Sequence, residues 1–425
     1  MVSRSITKVL AFLTVFYFPN LIWLQLRNNS LYGFIPSHIG NLSNLNFLDL
    51  SYNNFSVNIP LEIGLLKRLS TISLGYNSIS CSFPREILNL TKLDYLDLVQ
   101  NNIFGSIPSD IGSNINYLYL WSNNLFGSIP NEIGMLKSLF DLHLSNNNLT
   151  GAIPDSIGNL TNLENLVLHF NGLSGSIPTS MGNLNKLSIL KFIRPCNVPQ
   201  TLNNLNRLRI LDLSDNHLSG SLPENVCLGG LLTHIAASNN NLTGLIPSSL
   251  RNCTSLYRVR LQGNHLTGNI SEAFGIYPNF NFISLSNSSI FGELSPNWGE
   301  CHNLTSLQIS NNNISGTIPF KLGHATQLQE LDLSSDHLNG EIPKELGKLT
   351  MKSRLFLRGN QFSGKIPGPI PDDLGNCVKL LNLNLSKNNH EESIPSSISY
   401  IKALESLDLS QNSLIEGIPQ QFGKL

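Results

Sequence analysis

Charge is what this 425-residue sequence has least of: Asp, Glu, Lys and Arg together make 13% of it, about half the usual share. The formal balance is −1 at neutral pH, with no basic run and no acidic tail. Phosphate recognition needs a dense cationic stripe, so nucleic acid is excluded as a partner. The sequence has no run of 18 apolar residues, the length a helical membrane span requires, and so offers no membrane contact of its own. It has no Gly-rich loop for gripping phosphate and no kinase catalytic loop. No Cys or His spacing resembles a zinc site, and no nucleophile stands beside a base. These absences argue against an enzyme and imply neither cofactor nor metal. No linker divides the chain.

What the sequence has is a repeat. From Leu48 it reads Leu-x-Leu-x-x-Asn53, then Phe55, Ile59-Pro60 and Ile63-Gly64, and the same frame returns at Ile72, Leu74, Asn77 and at Leu96, Leu98, Asn101. The position of these asparagines recurs at 29, 53, 77, 101, 123, 147, 171, 195, 216, 240, 264, 288, 312, 336, 360, 388 and 412, mostly in steps of 24. Self-similarity of this period marks a solenoid. The Leu-x-Leu pair predicts a short strand with both leucines pointing inward. The asparagine then sits inside the bend, where its amide can bond the backbone of neighbouring coils. Gly-x-Ile-Pro, as at Gly105 to Pro108, turns the chain along a second face, where proline suits an extended segment with no donor to offer. One coil cannot bury its apolar stripe alone, so stability comes from stacking. The expected fold is α/β: a right-handed solenoid, horseshoe or superhelix, of 17 coils over residues 19–425, with a parallel sheet on its concave face.

The ends depart from this frame. Residues 1–18 carry Arg4 and Lys8 and then an apolar run from Val9 to Phe18, which reads either as a secretory signal or as a degenerate first coil. A polar cap is expected before the first coil and another after the last, and neither is found, so the chain reads as a truncated form. Asn-x-Ser/Thr sequons occur at 13 sites. Asn41, Asn89, Asn148, Asn159, Asn241, Asn303 and Asn313 are the glycosylation candidates, although a repeat rich in Asn, Ser and Thr generates such triplets by itself. Of the six cysteines, Cys253, Cys301 and Cys377 take a position that leucine fills in other coils and read as small buried apolar residues. Cys81 replaces a turn glycine, and Cys196 lies in an irregular coil. Cys227 and Cys253 stand at nearby offsets on adjacent coils, within reach of a disulfide, and a bridge and two free thiols both remain open.

The repeat with Gly-x-Ile-Pro is identified as the plant-specific leucine-rich repeat. Throughout its length the sequence resembles the ectodomains of plant leucine-rich-repeat receptor-like kinases, and most of all the male-discoverer-interacting class of peptide receptors. The segment from Leu222 to Gly316 carries the resemblance best, with LPENVCLGGLL, NCTSLYRVRLQGNHLTGNI and WGECHNLTSLQISNNNISG, followed by ATQLQELDLSSDHLNGEIPKELGKL. The resemblance implies a secreted peptide or protein ligand, a possible co-receptor of the same repeat class, a place outside the cell or at the plasma membrane, and a role in defence or developmental signalling. It also implies a Cys227–Cys253 pairing. The serine/threonine kinase of the longer relatives has no counterpart here. A secreted inhibitor of a microbial wall-degrading enzyme and a nonfunctional gene remnant are the alternative readings.

In such a coil the outward strand residues lie 6, 4, 2 and 1 positions before the ladder asparagine. Asp49 and Ser51 represent the bland filler of these sites, and departures from it are informative. Tyr95, Tyr117, Tyr119, Trp121, Asp141, His143, Asn165, His169 and Phe170 form an aromatic patch edged by polar groups, the composition of a binding hot spot. The competing reading is an aromatic ladder that merely stiffens the sheet. A metal held by Asp141, His143 and His169 is disfavoured, since an open wall supplies no closed ligand shell. Arg258 and Arg260 alternate onto one face, a fork suited to a carboxylate. The resemblance implies that this pair receives the free carboxyl end of a peptide; two solvated arginines balanced by Asp212 and Asp215 are the alternative. The expected ligand is an extended peptide along coils four to eleven. Pro195, Ser288, Asp336 and an insertion around Gly368 to Pro371 interrupt the ladder, and Lys191 and Arg194 are expected to face inward.

Overall fold

The computed structural model describes residues 18, 20–111, 114–192, 197–364, 366 and 379–424. The apolar segment up to residue 17, Arg194, Pro195, Cys196, the insertion at Gly368 to Pro371, and Cys377 lie outside the described residues. The chain divides into two units, Met1–Leu208 and Arg209–Leu425.

Each unit is a stack of coils. In the first, the three-residue strands Trp23–Gln25, Phe47–Asp49, Thr71–Ser73, Tyr95–Asp97, Tyr117–Tyr119, Asp141–His143, Asn165–Val167 and Ile189–Lys191 pair in parallel and in register. In the second, Ile210–Asp212, His234–Ala236, Arg258–Arg260, Phe282–Ser284, Ser306–Gln308, Glu330–Asp332, Arg354–Phe356, Asn382–Asn384 and Ser406–Asp408 do the same. The two units together hold 17 such strands, one for each coil of the repeat. The middle residue of each strand alternates inward: Leu48, Ile72, Leu96, Leu118, Leu142, Leu166 and Leu190 are all buried to 0% exposure. That alternation corrects the expectation for Lys191. It pairs with Val167 on the outer side of its strand, because Leu190 takes the inward place.

The asparagines hold the coils. Asn101 donates its Nδ2 hydrogens to the carbonyls of Leu74 at 3.0 Å, Leu98 at 3.2 Å and Val99 at 3.1 Å, while its Oδ1 accepts from the N–H of Ile79 at 3.0 Å. One amide thus satisfies backbone groups of its own bend and of the preceding coil, groups that burial would otherwise leave unpaired. Asn53, Asn77, Asn123, Asn147 and Asn171 repeat this geometry in the first unit, as do Asn240, Asn264 and Asn360 in the second. The Asp and Ser residues described above as filler are structural as well. Asp49 is 4% exposed, and its Oδ1 accepts from Ser51 N–H at 3.0 Å and Ser51 Oγ–H at 2.6 Å. Asp212, Asp332 and Asp408 make the same bond to the serine two residues on.

Beyond the bend the chain runs through short outer strands into 3-10 turns such as Leu61–Leu65 and Asn131–Met135, each entered from an extended proline. Gly64 is required there, since a Cβ would stand 2.8 Å from the Glu86 carbonyl of the next coil. In one coil the turn is α-helical, Ile270–Ala273, and the Asn269 side chain caps Ser271 N–H. No helix among the described residues is long and apolar enough to cross a membrane.

Asp336 tests the ladder chemistry. Its Oδ1 accepts from the N–H groups of Asn312 at 3.1 Å and Ile314 at 3.0 Å, as an asparagine oxygen would. Its Oδ2 is buried without a partner, where an amide would present hydrogens to carbonyls. Burial above all raises its pKa to about 7, against the lowering effect of the Ile314 and Asn312 N–H bonds; Asp332 adds to the rise. Since the folded pKa exceeds the unfolded one, this group's stabilising contribution is fully present below the unfolded value and is lost as pH rises through about 7. Asp336→Asn should therefore raise the thermal midpoint by several degrees at about pH 8 and by much less at about pH 5. An equal shift at both values in thermal melts would show that Asp336 is already ionised and otherwise satisfied.

Candidate functional site

On the first unit, in-register pairing sets Tyr95, Tyr117, Asp141 and Asn165 in one row, with Asp97, Tyr119 and His143 in the row beside it. Asp141 is the hub. Its Oδ2 accepts from Tyr119 O–H at 2.9 Å and from Asn165 Nδ2 at 3.0 Å, and its Oδ1 lies 2.9 Å from His143 Nε2. Around it the rings pack edge to face, Tyr119 against His143 at 5.2 Å and against Tyr95 at 5.5 Å between centroids. Tyr117 lies 5.8 Å from Tyr95 and stacks on Phe140 at 6.2 Å. Such ring geometries contribute roughly 0.5–1.5 kcal/mol per pair beyond buried area.

The electrostatics follow from this packing. Burial drives the Asp141 pKa up, but the bonds from His143, Asn165 and Tyr119 outweigh it and hold the carboxyl below its ordinary value. Burial first, and then the Asp141 charge and hydrogen bond, push the Tyr119 phenol well above the usual tyrosine range. Tyr95 is raised to about 12, chiefly by burial and then by Asp97. The result is a wall of neutral phenol groups around a fixed carboxylate.

Tyr95, Tyr117, Tyr119, Asp141, His143 and Asn165 thus come together. The other three residues of the expected patch make ring contacts of their own. Trp121 turns toward Tyr76, edge to face at 5.9 Å, and His169 packs against Phe170 at 4.9 Å. Asp141, expected to face outward, is 9% exposed, because its neighbours close over it. Phe170 is 63% exposed. With φ at 54° it occupies the left-handed region that bulky residues rarely adopt.

Sequence reasoning missed an extension of this surface. Tyr52 stacks on Tyr76 at 4.2 Å, and the Arg27 guanidinium lies 4.8 Å from the Tyr52 ring centroid. With Trp121, Tyr95, Tyr119 and Phe47 these residues border an open depression of about 540 Å³. The signal was present, since Arg27, Tyr52 and Tyr76 also depart from filler at outward offsets. They belong to the first three coils, before the stretch where the aromatic run is densest.

On the second unit, the Arg258 and Arg260 guanidinium carbons lie 5.1 and 5.2 Å from the centroid of Phe282, a residue the sequence reading did not single out. Among the described residues neither arginine makes an ion pair. Asp212 instead accepts from Ser214 N–H, and Asp215 accepts from Asn239 Nδ2 at 2.7 Å. Cys227 and Cys253 form a disulfide with Cα atoms 6.0 Å apart, while Cys81 and Cys301 are free and buried. The side chains of Asn41, Asn89, Asn148, Asn159, Asn241, Asn303 and Asn313 are all exposed.

Comparison with known proteins gives a consistent picture. A family model described as a leucine-rich repeat region matches residues 109–224, and a leucine-rich-repeat model matches residues 20–42, 44–66, 92–114, 231–253, 303–325, 327–349 and 403–425. The solved structure of a TDR receptor is 34% identical, with a TM-score of 0.87, over 95% of this chain and 70% of that one. The Arabidopsis receptor kinase HAESA, solved with the peptide hormone IDA and the co-receptor SERK1, is 34% identical over 96% of this chain and 72% of its own, with a TM-score of 0.86. The plant peptide hormone receptor RGFR1 in complex with RGF2 is 36% identical over 93% and 72%, with a TM-score of 0.74. No curated protein sequence matches.

Replacing Asp141 with asparagine should bring the Tyr119 ionisation down, because the charge that opposes phenolate formation is removed, and should cost about 1–3 kcal/mol of stability. Ultraviolet difference titration and urea melts read the two effects. An unmoved tyrosine titration would break the link between the two side chains.

Proposed function

Because the chain belongs to the family of plant leucine-rich-repeat receptor ectodomains, we propose that it recognises a secreted peptide through the outward residues of its ladder strands. The observation that carries this reading is the cluster around Asp141. Outward positions that elsewhere hold Asp and Ser are given over to packed aromatic rings on successive strands. Exposed aromatic surface of this kind is costly without a partner, and Tyr and Trp dominate binding hot spots.

On the second unit, Arg258 and Arg260 flank Phe282 with no carboxylate paired to either among the described residues. A planar guanidinium pair in this state suits the terminal carboxylate of a peptide, which it can bind bidentately. The relatives' complexes support the peptide class, and that of HAESA with SERK1 supports a co-receptor. We place the chain in the male-discoverer-interacting class on the resemblance of Leu222 to Gly316. An extracellular setting with glycans on the exposed sequons accords with the disulfide in the same segment.

The test is a secreted-peptide library offered in free-acid and amidated forms. Arg258→Ala with Arg260→Ala should weaken free-acid ligands about 10-fold or more and leave amidated ones nearly unchanged. Equal losses for both forms would remove the carboxylate role. Trp121→Ala should weaken the same ligands while the melting curve stays in place, whereas a lowered midpoint would reassign Trp121 to the core.

A further inference from the structure

We propose that the depression on the first unit is a receptor for a cationic side chain, a guanidinium or ammonium group, seated against Tyr76 and Trp121 over the carboxylate of Asp97. The inference deepens the peptide-binding reading by naming the chemistry of one ligand side chain.

Beneath the Asp97 carboxylate a side chain is missing. Gly75 occupies an outward position where neighbouring coils carry Ser51 and Val99. A Cβ on Gly75 would meet the Asp97 carboxylate oxygens at 2.7 and 3.0 Å, so that carboxylate lies over the glycine. It is held there by Ser73 Oγ–H at 2.7 Å and Val99 N–H at 3.0 Å. The walls are aromatic: Tyr52 and Tyr76 stacked together, with Trp121 edge-on to Tyr76. Tyr52 and Tyr76 also hold left-handed backbone, with φ at 54° and 55°. The same offset is left-handed in other coils, as at Gln100, Ser122, Asn146 and Asp215, so this conformation belongs to the bend of the repeat.

The charge of the depression selects the ligand. Its border carries Asp49, Asp94 and Asp97 against one cation, Arg27, which leaves a formal excess of two negative charges (three less one). An anionic group would meet net repulsion. Burial pushes the Asp97 carboxyl above its ordinary value in spite of the bonds from Ser73 and Val99, the state of a carboxylate short of positive charge. Arg27 shows the preference within the chain itself. Its exposed side chain lays a guanidinium on Tyr52 at the rim, the geometry of a cation–π contact. A second cation can use the Tyr76 and Trp121 rings that border the depression in the same way.

The measurement is a ligand-observed NMR titration of the whole chain with ethylguanidinium and its neutral isostere ethylurea, at constant ionic strength. Ethylguanidinium should bind about fivefold more tightly. Asp97→Asn should abolish that preference, and Gly75→Ala should weaken it by displacing the Asp97 carboxylate. Arg27→Ala should strengthen ethylguanidinium binding, because it removes the resident charge and frees the Tyr52 face. Arg27 is exposed, so this variant decides the matter even where Asp97→Asn does not fold. Equal binding of the two probes, binding of neither, or an Arg27→Ala variant that binds no better would each overturn the proposal. Neither probe is a peptide. A peptide ligand found on a protein indifferent to ethylguanidinium would therefore sink this inference alone, and a cation site on a protein that binds no peptide would sink only the peptide reading.

Discussion

The described coils make a sharp bend after the ladder strand, and a bend in a buried backbone strands hydrogen-bonding groups. The ladder asparagine resolves that problem by bonding at once to its own bend and to the coil before it. A carboxamide suits the place because it carries both donor hydrogens and an acceptor oxygen. The two lapses among the described residues show what is lost. Ser288 has a buried hydroxyl without a partner, and Asp336 keeps the acceptor but has no donor. Parallel register, coil spacing and the inward leucines all depend on this interaction, since a stack that cannot satisfy its bends cannot bring the apolar stripes together.

Once the inner residues and the asparagine have fixed the stack, the outward strand positions are free to vary. Some of that freedom is taken back by Asp and Ser, which tie the end of the strand to its bend. The rest is spent on chemistry: a carboxylate ringed by phenols in the first unit, and two guanidinium groups about a phenyl ring in the second. Neither site has elements of its own. Each consists of one or two residues contributed by successive strands, so its precision comes from the register of the sheet.

The coil boundaries, the buried leucines, the asparagine ladder and the parallel sheet were legible in the sequence because they depend on period alone. The candidate site was legible only in part. Tyr95, Tyr117, Tyr119, Asp141, His143 and Asn165 could be gathered by offset, since in-register pairing turns a shared offset into proximity. Offset says nothing about which way a side chain leans along the sheet. Trp121 therefore turned out to face Tyr76, and Phe282 went unnoticed between two arginines that were noticed. Gly75 was harder still. A glycine just beyond a strand carries no chemistry of its own, and its meaning appears only when the Asp97 carboxylate is seen to rest where a Cβ would be.

The regular period has an evolutionary corollary. Because each coil is a self-similar module of about two dozen residues, unequal recombination within the gene can insert or remove whole coils without disturbing the facing of any side chain. Two recognition features on one unit would then move apart or together in whole strand spacings of about 4.8 Å. That step is about half again the length one extended residue adds to a ligand. The solenoid thus works as a ruler whose divisions differ from those of the peptide laid against it, and gain or loss of a coil retunes which ligand lengths fit both marks at once.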